Sequence, residues 1–412
     1  MTADAFRTGL YLEHLEEAAA LWEQRDYDRT ALAWPDLEDG DVRLEAHLDA
    51  LVLGGDLALE ACRRQSLSDD PGERYAALRV FCRQGRSDLV GVAMEATDPD
   101  DALALDALGE SLSADLPTEW EAGAFRDLED PRRLRLAADL AIDRRPERAR
   151  ALLGALGHAP PGLRAYVVRA LGHIDAGLEA DLVPLLEDDD PDVRLEAAVA
   201  LARTGAADAA LEAGRTDPAL VPAFGIAGRE GDVPWLHRVL THHAAPAAAR
   251  ALGLLGYAQS VPPLLDALEA GTKEAAHALD LITGAGLEDE VAVEDVRALD
   301  ERFPDERASE VEDGHRLDAT ERGLCTKHGP WRAWWDEHGR AFPAGRYRLG
   351  QPVTRASLVA SLEAPQVPHG VRRWIADELA ARHHMALPFR PTWEVARQRA
   401  ALQAMRAWSM EA

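Results

Sequence analysis

The chain has 412 residues, 47% of them apolar and only 6% aromatic, with a formal net charge of −28. That length exceeds what one compact core supports and calls for several domains or an elongated repeat, while an Ala- and Leu-rich composition favours helices over sheets. The acidity argues against a uniform phosphate-backbone binder, which would present Lys and Arg, and against an anionic membrane surface as partner.

Charge is unevenly spread. Residues 321–412 carry 14 Lys/Arg against 8 Asp/Glu, a net of +6, which leaves −34 for residues 1–320. The same C-terminal stretch holds six of the ten Trp. Cys62, Cys82 and Cys325 form no CxxC pair, which argues against a disulfide framework or a structural zinc site. The first twenty residues contain several acids and no uninterrupted apolar run, so they do not read as a signal peptide. A cytoplasmic location is the expectation.

Residues 1–39 place Leu10, Tyr11, His14, Leu15, Ala18, Leu21 and Trp22 at helical spacing, the pattern of an N-terminal helical cap. From residue 40 to 286 a repeat takes over. Its punctuation is Asp-Pro, at Asp70-Pro71, Asp98-Pro99, Asp130-Pro131, Asp190-Pro191 and Asp217-Pro218, with Pro160 and Pro246 filling the gaps. Asp at the N-cap accepts from free backbone N–H groups, and Pro at the first helical position has no N–H to leave unpaired. The clearest copy, DPDVRLEAAVALARTG, spans Asp190 to Gly205 and puts Val193, Ala197 and Leu201 on one face. The hexapeptide DVRLEA occurs at Asp41–Ala46 and again at Asp192–Ala197. About nine units of about thirty residues result, and paired helices of that size bury their apolar faces only by stacking. The predicted fold is all-α: an α-solenoid with a C-terminal mixed, mainly helical capping module.

This pattern, D-P-x-V-R-x-x-A-x-x-A-L-x-x-x-G, resembles the HEAT-repeat signature, in the short form found in phycobilisome-lyase-like proteins. The wider chain resembles a bacterial, mostly proteobacterial, HEAT-repeat family without an assigned activity. The likeness lies in HLEEAAALWEQRD (His14–Asp26), RLEAHLDALVLGG (Arg43–Gly55), DPGERYAAL (Asp70–Leu78) and WRAWWDEHGRAFPAGRYRLGQPVT (Trp331–Thr354). Some members lie near type VI secretion genes, which implies an adaptor or chaperone role.

Residues 287–322 are charged and poorly periodic, the composition of an acidic linker or loop. Residues 323–412 form a Trp-rich basic module. Within it, WRAWWDEHGRAF reads as an amphipathic helix and FPAGRYRLGQPVT as a hairpin-like piece. Three more helices follow, the last with Thr392 as candidate N-cap.

No phosphate loop, GxSxG elbow, HExxH or GxGxxG is present, so no enzyme activity and no cofactor is expected. The pairs His242-His243 and His383-His384 are weak metal candidates, because adjacent side chains on a helix point about 100° apart. Asp41/Arg43, Arg74, Arg164 and Asp192/Arg194 are expected to tie repeats to their neighbours. Trp331, Trp334, Trp335, Arg346, Tyr347 and Arg348 form the candidate partner-binding cluster, since Trp, Tyr and Arg are enriched in hot spots. The competing expectation is that these Trp residues seal the end of the solenoid while Arg346 and Arg348 pair with acidic repeat residues. The expected function is a scaffold, adaptor or chaperone that holds another protein. The alternatives are a lyase-like enzyme or accessory factor on the same scaffold, or nucleic-acid binding through the +6 zone.

Overall fold

A computed structural model describes residues 2–174, 177–242, 244–292 and 320–411. The protein is an all-α solenoid relieved by two small antiparallel ladders. The chain divides into two units, Met1–Ala227 with Leu358–Ala412, and Gly228–Ser357.

The first unit opens with a 29-residue helix, Ala3–Ala31, started by Thr2, whose Oγ1 accepts from the Ala5 N–H. Leu15, Ala18, Leu21 and Trp22 of the expected face form its buried stripe, whereas Leu10 is exposed and Tyr11 and His14 are half-buried. Helices Pro71–Arg83, Ala102–Asp115, Pro131–Asp143, Pro161–Leu171 and Pro191–Arg203 then pack each on the next. Between them the chain returns through Ser87–Ala96, Glu121–Ala124, the 3-10 stretch Pro146–Ala155, and Glu179–Leu182 with Val183–Glu187. Ala207–Gly214 closes the series.

Asp-Pro starts three of these helices in the expected way. Asp70 Oδ1 accepts from Glu73 N–H at 2.9 Å, Asp130 Oδ1 from Arg132 N–H at 3.0 Å, and Asp190 Oδ1 from Asp192 N–H at 2.8 Å. Each such cap stabilises its helix by about 1 kcal/mol. Asp98-Pro99 behaves differently. It forms a turn in which Asp98 accepts from Asp100, and the helix begins at Ala102 under the cap of Asp101. Two nearby aspartates competed for one role, and the one nearer the apolar run took it. At Asp217-Pro218 the cap forms, but Pro222 lacks the N–H to continue the ladder. Only the 3-10 turn Pro218–Leu220 and the short helix Ala223–Ala227 result.

Small residues set the spacing between stacked helices. A Cβ added at Gly172 would stand 3.0 Å from the Ala200 Cα, so a side chain there would push the neighbouring helix outward by a few tenths of an ångström. Gly205, at φ 88°, takes the left-handed position just past Arg203. The duplicated hexapeptide, by contrast, plays two parts. Asp192 stands exposed near a helix start, whereas Asp41 lies inside the helix Glu38–Leu53, buried against Arg25.

Residues from Leu358 onward complete this unit with the end of helix Arg355–Glu363 and with helices His369–His383 and Val395–Met410. The last begins at Val395 after Glu394, so Thr392 is not its N-cap. Thr392 instead offers its carbonyl to Arg25 at 2.5 Å.

The second unit contains helices Val233–Val239, Ala245–Leu255, Val261–Glu269, Glu274–Thr283 and His328–His338. Strand Glu288–Ala292 pairs antiparallel with Thr320–Leu324, Glu288 facing Leu324 and Ala292 facing Thr320. The edges of the expected acidic linker are thus a ladder. Its middle, residues 293–319, lies outside the described residues, as does His243. Among the described residues no helix is long and apolar enough to cross a membrane.

Candidate functional site

The six residues singled out in the sequence all fall in the second unit, where they divide into two groups. Tyr347–Arg348 and Gln351–Pro352 form a two-residue ladder, turned by Leu349 and Gly350 at φ 48° and 76°. The hairpin caps two repeat helices. A helix leaves its last carbonyls unpaired, and those of Ala245–Leu255 are met here. Arg348 donates to the carbonyls of Gly253 at 3.2 Å and Leu254 at 2.5 Å, and Arg346 donates to Leu255 at 2.6 Å. Tyr347 N–H donates to Gly256 O at 2.7 Å. For helix Glu274–Thr283 the backbone N–H groups of Leu349 and Gly350 reach Leu281 O and Ile282 O. Arg348 is 1% exposed and Tyr347 is buried, so this half of the cluster holds the fold together.

Trp331 is buried as well, with its Nε1 donating to the Cys325 carbonyl at 2.6 Å. Trp334 and Trp335 are only half-buried. Trp334 stacks on His338, both indoles lean on Phe342, and Phe342 meets Tyr347 edge-on at 5.0 Å between centroids. Trp334, Trp335 and Phe342 therefore form a partly exposed aromatic patch fixed to a rigid hairpin. The exposed His338 and Arg340 stand beside it in sequence.

The first unit holds a polar cluster that spacing alone did not indicate. Residues 384–394 run without regular structure between two helices, and Arg390, Trp393, Glu394 and Arg397 help line a small cleft of about 30 Å³. Trp22, Arg25, Tyr75, Glu110 and Asp143 supply the other wall. Arg390 donates to Asp139 Oδ1 and approaches Asp143 Oδ1 at 2.6 Å. Arg135 donates to Asp139 Oδ2 at 2.8 Å, and the Tyr166 hydroxyl donates to Asp139 Oδ1 at 2.5 Å. Trp393 Nε1 and Arg397 Nη1 donate to Asp143 Oδ2.

Electrostatics differ between the two carboxylates. Burial pushes Asp139 up, but Arg135 and Arg390 together outweigh it and hold it below its ordinary value. For Asp143 burial prevails over Arg390 and Arg397, with the charge of Asp139 one turn away adding to it, and its pKa is raised. Burial likewise raises Glu110, which accepts from Trp22 Nε1 at 3.0 Å. Further along, Glu196 accepts from both Arg169 and Arg373 and is held at about 2 against the upward push of burial. Arg203 donates to Asp377 at 2.6 Å. Arg373, Arg390 and Arg397 of the C-terminal segment thus neutralise acids of the stacked helices, and Asp377 pairs the other way with Arg203. The sequence signal for this was the charge contrast between its two zones, which named no pairs.

The expected ties form only in part: Arg164 and Arg194 reach aspartates at the next helix start, while Arg74 stays local and Asp192 is exposed. Arg164 donates to Asp188 at 2.9 Å and Arg194 to Asp217 at 2.7 Å, each reaching the loop that leads into the following helix, while Arg74 bonds the carbonyls of Ser66 and Ser68 just before its own helix. Cys62, Cys82 and Cys325 are buried, and burial pushes the thiols of Cys62 and Cys82 up to about 12, which makes both inert. His383 ends a helix and His384 takes the left-handed cap position at φ 54°.

A family model described as HEAT repeats matches residues 149–219. The matched span contains the helices Pro161–Leu171, Pro191–Arg203 and Ala207–Gly214. No curated protein matches the chain. Capped, Ala-rich helices stacked at short spacing and the family match agree that residues 149–219 are HEAT repeats within an all-α solenoid.

Proposed function

We propose that the protein is a non-catalytic scaffold that holds another protein through the aromatic patch of Trp334, Trp335 and Phe342. HEAT repeats serve generally as protein-interaction scaffolds. The observation that carries the narrower reading is the pair of half-exposed indoles on a hairpin-braced helix. Rigid, partly exposed Trp beside Arg or His is the composition of a binding hot spot, worth about 2 kcal/mol or more per anchor on truncation. The nucleic-acid alternative loses force because the basic zone spends its charge internally: Arg373, Arg390, Arg397, Arg399 and Arg406 all pair with carboxylates. Nothing favours the lyase-like alternative. A link to type VI secretion rests on the family likeness alone and is the finest form of the proposal.

The test is quantitative co-purification from the source cells with the intact chain and with W334A/W335A. Recovery of one or a few proteins by the native chain, reduced about tenfold or more by the double substitution, supports the reading. Equal recovery by both overturns the assigned surface, and recovery of nothing above a mock sample overturns the scaffold reading. Secretion-apparatus components among the recovered proteins would support the finer form.

A further inference from the structure

The geometry points to a divalent transition-metal site at His14 and His47, of the kind that takes Cu(II) or Ni(II) with two imidazole nitrogens and water. His14 lies on helix Ala3–Ala31 and His47 on helix Glu38–Leu53, two helices packed along their length in the first unit. Their Nδ1 atoms face each other at 3.0 Å, with ring centroids 5.1 Å apart and planes inclined by 63°.

Two observations favour an ion between these nitrogens. The first is distance. With metal–imidazole bonds of about 2.0–2.1 Å, two nitrogens on one ion stand about 3.3 Å apart at a tetrahedral angle and about 2.9 Å at a right angle. The 3.0 Å separation, at which the metal-free rings share an N–H···N hydrogen bond, also lies near the right-angled value, and tetragonal nitrogen and oxygen coordination selects Cu(II) or Ni(II). The second is anchoring. Each ring comes from a helix interior, and Leu15 and Leu48, the residues following them, are 0% exposed. The two Cα positions are therefore held by core packing and the nitrogens converge without a loop having to order. Both rings are half-buried, which leaves the outer coordination positions open to water.

The charge around the pair suits a cation. Glu13, Glu16 and Glu17 lie within three residues of His14 and are exposed, and the guanidinium of Arg43 stands 3.9 Å from Glu17. Three-ligand sites are a different class. Among the described residues no group of three or more His, Cys, Asp or Glu is placed to hold an ion. The His14–His47 site is thus a two-residue chelate, exchangeable rather than structural.

Isothermal titration of the full chain with Cu(II), with Ni(II) in parallel, tests it against H14Q and H47Q. Chelation by two tethered ligands exceeds binding by one by about a hundredfold, so each single substitution is expected to weaken the tight phase by about that factor. The Cu(II) electron-spin resonance spectrum should show two imidazole nitrogens in the native chain and one in either variant. Unchanged affinity and spectrum in H14Q/H47Q overturns the site. Should the variants fail to fold, histidine acylation of the native chain decides. Protection of His14 and His47 by Cu(II) supports the site, and equal labelling with and without the metal refutes it.

Discussion

Arg390→Met removes one cation from the buried cluster that joins the C-terminal segment to the stacked helices. Arg390 contacts Asp139 and Asp143, which are 0% and 5% exposed. Breaking a buried pair from one side costs about 3–5 kcal/mol, because the remaining charge keeps its desolvation penalty without its partner. Here the remaining partners soften the loss. Asp139 keeps Arg135 and Tyr166, and Asp143 keeps Arg397 and Trp393. The lower end, about 3 kcal/mol, is therefore expected. For a unit of about 280 residues an unfolding entropy of about 2.1 cal/mol/K per residue turns this into a Tm decrease of about 5 °C. Urea unfolding followed by far-UV circular dichroism should give the same loss from the midpoint shift, with Arg399→Ala as control. Arg399 pairs with Glu38 on the surface, where solvent screens the interaction. If R390M and R399A unfold at the same urea concentration, the C-terminal segment is not held by its buried arginines and the argument fails.

Acid should loosen the same unit through Glu196. Its folded value of about 2 lies below the ordinary 4.5, so its contribution is full above pH 4.5 and is lost as pH falls towards 2. That difference is about 3 kcal/mol, and Glu196→Gln should flatten the stability profile over this window in acid-titration unfolding. Asp190→Ala removes the N-cap of helix Pro191–Arg203 and should cost about 1 kcal/mol by urea midpoint; a neutral result would deny the Asp-Pro start its energetic role. Gly256 has φ 77°, and a Cβ there would stand 2.4 Å from the Tyr347 carbonyl oxygen. Gly256→Ala should therefore destabilise the second unit by more than the about 1–2 kcal/mol of left-handed strain alone. Its effect is readable as faster hydrogen exchange at the Tyr347 and Leu349 amides.

The sequence made the repeats legible because a single residue pair carried the signal. Asp-Pro encodes a helix start locally, so its recurrence could be read without knowing any contact. Where two aspartates lay close, at Asp98 and Asp101, the local rule allowed either and the structure chose the second. The candidate site was half legible for a related reason. Trp334 and Trp335 differ from Trp331 only in burial, and burial depends on the hairpin that follows, which helical spacing does not report. Arg348 shows the same limit. Its type matches a hot spot, yet it serves as a cap for carbonyls about ninety-five residues earlier in the chain. The pairs Arg390–Asp139 and Arg373–Glu196 join positions more than 170 residues apart, and no local pattern encodes such a match.

The excess of acid over the repeats has a consequence for where a partner can bind. An acidic face of stacked helices would by itself attract a basic peptide, and this is how the −34 of residues 1–320 would ordinarily be used. In the first unit that opportunity is taken within the chain. Glu196, Asp139, Asp143 and Asp41 each face a residue of the segment 373–397, and the backbone N–H of Val395 donates to Asp41 at 2.6 Å. At Asp143 a competing peptide would have to displace the buried Trp393, whose Nε1 bonds that carboxylate, together with Arg390 and Arg397. Withdrawing that aromatic side chain costs about 2–3 kcal/mol of apolar burial on top of the broken ion pairs. Binding energy of a standard interface is better used on a surface already exposed. The aromatic patch of the second unit meets that condition, and for this reason the scaffold reading is assigned there.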